Sequence, residues 1–130
     1  MSARTAILIG GVYHVAFALF HLAFWRLFRW RRELTLLSPV NRSVMQILNL
    51  CLTFVFLAFA YVSFFHAPAL LGTSLGQAML LLIAIFWCLR AAEQLVFFGL
   101  RTPASAVFFA LFIAGTLLYA YPFAVGIRGS

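Results

Sequence analysis

The sequence predicts an all-α, polytopic membrane protein whose single domain, residues 1–130, crosses a bilayer four times. The composition is 66% hydrophobic and only 8% charged, whereas a water-soluble domain is about 25% charged. Four apolar runs reach the roughly 20 residues that a helix needs to cross the hydrocarbon layer. No alternation of apolar and polar residues indicates strands, and lipid admits only helices or closed barrels. Together these observations predict a four-transmembrane-helix bundle.

The predicted spans follow one another along the chain with short connections. They lie at residues 6–28, 40–66, 75–98 and 103–123. Ser38 and Thr102 each precede a proline, so that a capping hydroxyl stands before a residue suited to the first helical position. Ser74 and Gln77 fit a capping box at the start of the third span, and Gly99 is expected to end it.

A short repeat relates the first two spans to the last two. The dipeptide Phe24-Trp25 recurs as Phe86-Trp87, at equivalent places in the first and third spans. The serine-proline pair before the second span likewise corresponds to the threonine-proline pair before the fourth. This repetition is consistent with two parallel hairpins related by an axis along the membrane normal.

Arginine accounts for every basic residue and is distributed unevenly between the two ends of the spans. One side carries Arg26, Arg29, Arg31, Arg32, Arg42 and Arg101, and the other carries Arg4 and Arg128. Because cytoplasmic loops hold the excess of arginine, both termini are expected to be extracytoplasmic, in a bacterial inner membrane. A net charge of +7 also suits nucleic-acid binding. The arginines flank apolar runs, however, so no nucleic-acid partner is expected.

Aromatic and sulfur side chains have predicted positions relative to the bilayer. The expected interfacial belts contain Trp25 and Trp30 on the inner side, and Tyr119 and Tyr121 on the outer side. Cys51 and Cys88 lie inside apolar runs, where they are expected to be buried free thiols that behave as small apolar groups.

Polar residues inside the spans indicate a candidate site. An ionisable group in hydrocarbon costs about 2.5 to 3.5 kcal/mol and usually faces a partner or a cavity. Helical spacing and a rise of about 1.5 Å per residue bring polar residues of three spans to similar depth in the cytoplasmic half. The predicted ligand-binding residues are His21, Gln46, Asn49, Arg90, Glu93 and Gln94. Glu93 is expected to face the interior within reach of Arg90, and a purely structural ion pair is the alternative.

No metal or other cofactor is expected. Bis-histidine haem ligation needs two imidazoles at one depth on facing helices. His14 is expected near the middle of the membrane, His21 in the inner half and His66 at the outer edge, so haem is disfavoured. The roles of His14 and His66 stay open at this point.

Small residues suggest close helix contacts at two places. Ala106, Ala110 and Ala114 form a smooth strip that either seals the bundle internally or makes an oligomer. Gly72 and Gly76 have the same spacing at a helix entrance, where loop flexibility is an equally good explanation.

The predicted function is a non-catalytic accessory subunit or a bundle that binds a small ligand or lipid. Its expected partners are membrane lipids and either other membrane subunits or further copies of the chain. The alternative is a small membrane enzyme acting on a lipid-soluble substrate, in which Glu93 or His21 acts as acid-base group and Arg90 as an anion clamp. An oligomeric transporter is the third possibility, and whether the chain is catalytic stays open.

Overall fold

The computed structural model describes residues 1–129, with side chains as far as residue 126, and these residues contain helices and no strand. The helices are α1 (Ala3–Leu22), α2 (Phe24–Leu27), α3 (Trp30–Glu33), α4 (Pro39–Phe65), α5 (Ala67–Gly72), α6 (Ser74–Glu93) and α7 (Pro103–Gly129). The all-α prediction is confirmed. The side chain of Arg128, which entered the arginine count, lies outside the described residues.

Four helical segments are long and apolar enough to cross a membrane. They are Ala3–Leu22, Pro39–Phe65, Ser74–Phe98 and Pro103–Gly126. These segments confirm the prediction of four candidate spans and indicate a membrane-integral protein.

The first predicted span is shorter than expected because the helix is interrupted near its end. At Ala23 the backbone N–H bonds to both Leu19 and Phe20, which tightens the turn between α1 and α2. Arg29 then adopts a left-handed conformation, with φ 50° and ψ 42°. A left-handed residue cannot continue a right-handed helix, so α2 ends and the chain turns into α3.

Two of the three predicted helix starts are confirmed. The hydroxyls of Ser38 and Thr102 each accept a backbone N–H from three residues further on, at 3.3 and 3.2 Å. The capping box at Ser74 is wrong, because Thr73 is the capping residue and accepts such a bond at 2.9 Å. The side chain of Gln77 instead donates to carbonyl oxygens of α5.

The core between the long helices is aromatic. Helix α1 packs against α4 and α7, and α6 packs against α7. Helices α4 and α6 meet mainly through side chains: the ring of Phe56 stacks on fully buried Trp87 with 5.4 Å between centroids. Gly115 on α7 makes room for this indole, since a Cβ there would lie 2.9 Å from the Trp87 ring.

A chain of buried hydrogen bonds joins the four long helices. Trp87 donates its indole N–H to Nε2 of His14 at 3.0 Å, so this nitrogen carries no proton. The Nδ1–H of the neutral ring faces the Gly10 carbonyl oxygen at 2.8 Å and the Tyr119 hydroxyl at 3.0 Å. That hydroxyl lies 2.7 Å from the hydroxyl of Ser63. His14 therefore has a structural role, because its two ring nitrogens connect α1 to α6 and α7.

Several predictions of burial are wrong. Tyr119 is fully buried and Trp30 is 5% exposed, so neither lies freely in an interfacial belt. Cys51 and Cys88 are exposed on the outer surface. The reason is that an apolar setting in the sequence does not distinguish a lipid-facing side chain from a core one, since both environments favour apolar residues.

The alanine strip on α7 does not seal the helices together within one chain. Ala106, Ala110 and Ala114 are all exposed. The internal alternative for this strip is therefore wrong, and its use in an oligomer stays a prediction.

Candidate functional site

A cavity of about 810 Å³ lies between the long helices and extends to their arginine-rich end. Its twenty lining residues include eight phenylalanines and two tryptophans, among them Phe17, Phe20, Phe56, Phe108 and Trp87. The short helices α2 and α3 supply Phe24 and Trp30 at the same end. The walls are therefore mainly flat and apolar, as in typical small-molecule pockets.

Polar side chains line the end of the cavity near the arginine-rich segment. They are His21, Glu33, Arg90, Glu93, Gln94, Thr102 and Ser105. Four of the six sequence-predicted site residues are among them. Gln46 and Asn49 do not line the cavity.

Asn49 lies outside the cavity lining and holds His21 in place through two hydrogen bonds. The Asn49 amide nitrogen donates to the backbone carbonyl oxygen of His21 at 3.0 Å, and the amide oxygen lies 3.0 Å from the imidazole Nδ1. Because the carbonyl oxygen only accepts, it fixes the orientation of the amide. The Nδ1 of His21 therefore carries a proton, and in the neutral ring Nε2 is an acceptor, which has no hydrogen-bond partner among the described residues.

Arg90 and Glu93 form an ion pair with 2.6 Å between Nη1 and Oε2. Helical spacing of three residues brings the two side chains together. The Arg90 guanidinium also lies 4.6 Å from the centroid of the Phe112 ring, in a favourable cation–π arrangement. Glu93 thus lies within reach of Arg90, as expected. Its side chain is 52% exposed, however, so it stands at the cavity mouth and not deep inside.

Gln94 is placed by a change of helical pitch at the end of α6. Residues Gln94–Phe98 form a π-helical turn, after which Gly99 adopts φ 65° and ends the segment as predicted. The Gln94 side chain is 4% exposed and donates to the Ser105 hydroxyl at 2.7 Å. Ser105 in turn donates to the Gly99 carbonyl oxygen. This contact joins α6 to α7 beside the cavity.

Gln46 serves a different contact. It accepts the indole N–H of Trp25 at 3.4 Å and donates to the Arg42 carbonyl oxygen at 3.2 Å. Its role links α4 to the end of the first span.

Sequence reasoning missed Glu33 and Trp30, both on the short helix α3. Both residues follow the first predicted span, so a pattern of polar residues inside the spans does not include them. One signal was present, because Glu33 is one of only two acidic residues in the chain.

Within the described residues, no three His, Cys, Asp or Glu side chains are grouped so that they could hold a metal ion. Both ring nitrogens of His14 are already hydrogen-bonded, which leaves neither free as a ligand. His66 is exposed at the start of α5, away from the cavity lining. The expectation that the protein has no cofactor stays a prediction.

Comparisons of the chain with known protein families, with curated protein sequences and with solved structures find no significant match.

Proposed function

We propose that the protein is a small integral membrane protein that binds an amphiphilic small molecule or lipid in this cavity, without catalysis. One observation carries the proposal: an aromatic cavity of about 810 Å³ ends in a polar group of His21, Arg90 and Glu93. Ligand pockets typically measure about 300 to 1,000 Å³ and combine apolar walls with a few polar groups. Such a cavity suits a ligand with an apolar body and a polar head.

The proposal also covers the arrangement of the helices and the partners of the protein. The four long helices form a single transmembrane bundle made of two parallel hairpins, α1 with α4 and α6 with α7. Close packing within each of these helix pairs supports this arrangement. The chain acts as an accessory subunit, with membrane lipids and other membrane subunits or further copies as partners. Its exposed apolar surface, which includes Phe54, Phe65 and Phe97, supports such contacts.

The proposed location is a bacterial inner membrane with both termini extracytoplasmic. The excess of arginine at the cavity end supports this orientation. We expect a periplasmic reporter, alkaline phosphatase, to be active when fused after Ser130, and a fluorescent protein at the same place to be dark. A matched fusion within the segment between α3 and α4 should give the reverse pattern. A fluorescent, phosphatase-inactive fusion after Ser130 would contradict the orientation.

Filling the cavity tests the binding proposal. Ala104 lines the cavity and is exposed, so Ala104→Phe should occupy ligand space without disturbing the core. Val107→Phe is the matched control, because Val107 is exposed on the same helix, does not line the cavity and lies outside the alanine strip. We expect native mass spectrometry to show roughly tenfold less co-purifying amphiphile for Ala104→Phe only, the factor that about 1.4 kcal/mol of lost binding produces. Equal ligand occupancy in both variants would argue against the cavity as a binding site.

A small membrane enzyme is the second candidate, favoured because His21, Arg90 and Glu93 line one cavity. In this reading His21 Nε2 or Glu93 would exchange a proton with a lipid-soluble substrate, and Arg90 would hold its anionic group. Arg90 is already bonded to Glu93, so an anion must compete with this carboxylate. This competition is why binding without catalysis is the preferred proposal.

A further inference from the structure

The chain concentrates its negative charge at the cavity. It contains nine basic and two acidic residues, and both acidic residues, Glu33 and Glu93, line the cavity. Of the arginines whose side chains the structure describes, Arg90 alone is a lining residue. The lining therefore combines two carboxylates with one guanidinium, in a protein whose net charge is +7 and whose other arginines at this end lie outside the lining. This local balance is opposite to that of the whole chain.

Two polar groups left free at this end can act as acceptors, namely the Glu33 carboxylate and Nε2 of His21. Arg90 is paired with Glu93, whereas Glu33 forms no ion pair in the described part of the chain. The hydrogen bonds of Asn49 hold a proton on Nδ1 of His21, so that Nε2 is the acceptor of the neutral ring. A carboxylate and an unprotonated imidazole nitrogen both complement a hydrogen-bond donor, and the carboxylate also complements a positive charge.

The aromatic walls favour the same kind of group. The faces of aromatic rings carry negative partial charge and attract cations that lie within about 6 Å of the centroid. Phe24, Phe28 and Trp30 line the cavity at the end where Glu33 lies. An ammonium group there would lie beside these aromatic rings as well as beside the carboxylate of Glu33.

We propose that the ligand of this cavity is an amphiphile with a primary ammonium head group, whose N–H donors Glu33, Glu93 and His21 Nε2 recognise while the apolar tail occupies the phenylalanine-lined part. This inference rests on the proposed binding function and specifies its ligand. Two sources can supply the chemistry: a bilayer phospholipid with a primary amine, or a free alkylamine. For the phospholipid, the exposed residues Arg31 and Arg32 beside Glu33 offer partners to the phosphate.

Three ligands with the same tail test the head-group preference. Dodecylamine, dodecanol and dodecanoate are titrated at pH 7 against the protein in phosphatidylcholine nanodiscs, whose lipid carries no N–H donor. Tryptophan fluorescence reports binding, because Trp30 and Trp87 line the cavity, and empty nanodiscs correct for partitioning. We expect dodecylamine to bind roughly tenfold tighter than dodecanoate, since a charge-assisted hydrogen bond contributes about a factor of ten or more.

Substitutions assign this preference to the carboxylates. Glu33→Gln should weaken dodecylamine binding by roughly tenfold and leave dodecanol binding unchanged. Glu33 is exposed and forms no ion pair among the described residues, so the fold should be unaffected. Arg31→Gln is the matched control on the same short helix, and it should not weaken dodecylamine binding. Glu93→Gln is a second test, read together with thermal stability because it also breaks the pair with Arg90.

The outcomes separate this inference from the binding proposal. Dodecanoate binding as tightly as dodecylamine, or dodecylamine binding that ignores Glu33→Gln, overturns the ammonium assignment while leaving a binding cavity. If none of the three ligands binds, and Ala104→Phe changes nothing, the binding proposal itself fails. Adding phosphatidylethanolamine to the nanodiscs then identifies the source: weaker apparent binding of dodecylamine indicates that the lipid occupies the site, and unchanged binding indicates a free amine.

Discussion

Replacing His14 with alanine is expected to lower the free energy of unfolding by about 3 kcal/mol, within the range of about 2 to 5 kcal/mol for large-to-small core substitutions. The imidazole is fully buried and touches the rings of Phe59, Trp87 and Tyr119. Its removal leaves a void at the place where all four long helices meet. It also leaves the buried indole N–H of Trp87 without its acceptor.

A second variant separates packing from hydrogen bonding. Hydrogen bonds between membrane helices contribute only about 0.6 kcal/mol on average, so most of the loss should come from packing and from the orphaned indole N–H. His14→Leu keeps much of the side-chain volume but removes both ring nitrogens. We therefore expect it to cost about 1 to 2 kcal/mol, which is less than alanine at the same position.

His66→Ala is the matched control, because the side chain of His66 is exposed between α4 and α5. Its effect should stay within about 0.5 kcal/mol. The stability of the three variants is measured by thermal unfolding in one detergent, with circular dichroism as the signal. Equal melting temperatures for His14→Ala and His66→Ala would show that the hydrogen-bond chain through His14 does not hold the helices together.

The long helices could be predicted from the sequence because their signals are local. An apolar run of about 20 residues and a hydroxyl before a proline each act within one helix. Ser38 and Thr102 accordingly cap their helices as expected. The break at Ala23 and the left-handed Arg29 have no such signal, because an alanine and an arginine are both good helix formers. Tertiary packing, which brings α3 over the end of the cavity, decides that turn.

The candidate site could be predicted only in part. Periodicity gives the helix face on which a residue lies, and it correctly paired Arg90 with Glu93. It does not give the rotation of one helix against another. Gln46 and Asn49 share a face of α4, yet one bonds to Trp25 and the other to His21 behind the cavity wall. Glu33 lines the cavity only because the chain folds back after α2, and no periodic pattern in the sequence predicts this turn.

Gly76→Ala is expected to destabilise the protein by about 3 kcal/mol, at the upper end of the usual cost of overpacking. A Cβ at Gly76 would collide with the carbonyl oxygen of Ala69 and would lie 2.5 Å from the Cα of Leu70. These are backbone atoms of the short helix α5, so no rotamer change relieves the contact. The helix α5 would have to move away from the start of α6.

Gly72→Ala provides the comparison four residues earlier, because a Cβ there meets nothing within 4 Å. Alanine is favoured over glycine in helices by about 1 kcal/mol, so Gly72→Ala should be neutral or slightly stabilising. The same reasoning decides between the two explanations of the Gly72 and Gly76 spacing: a loop that needs flexibility would lose stability at both positions, whereas a close approach of two backbones loses it only at Gly76. Melting temperatures of the two variants in one detergent distinguish these cases, and similar values for both would contradict the close contact of α5 with α6.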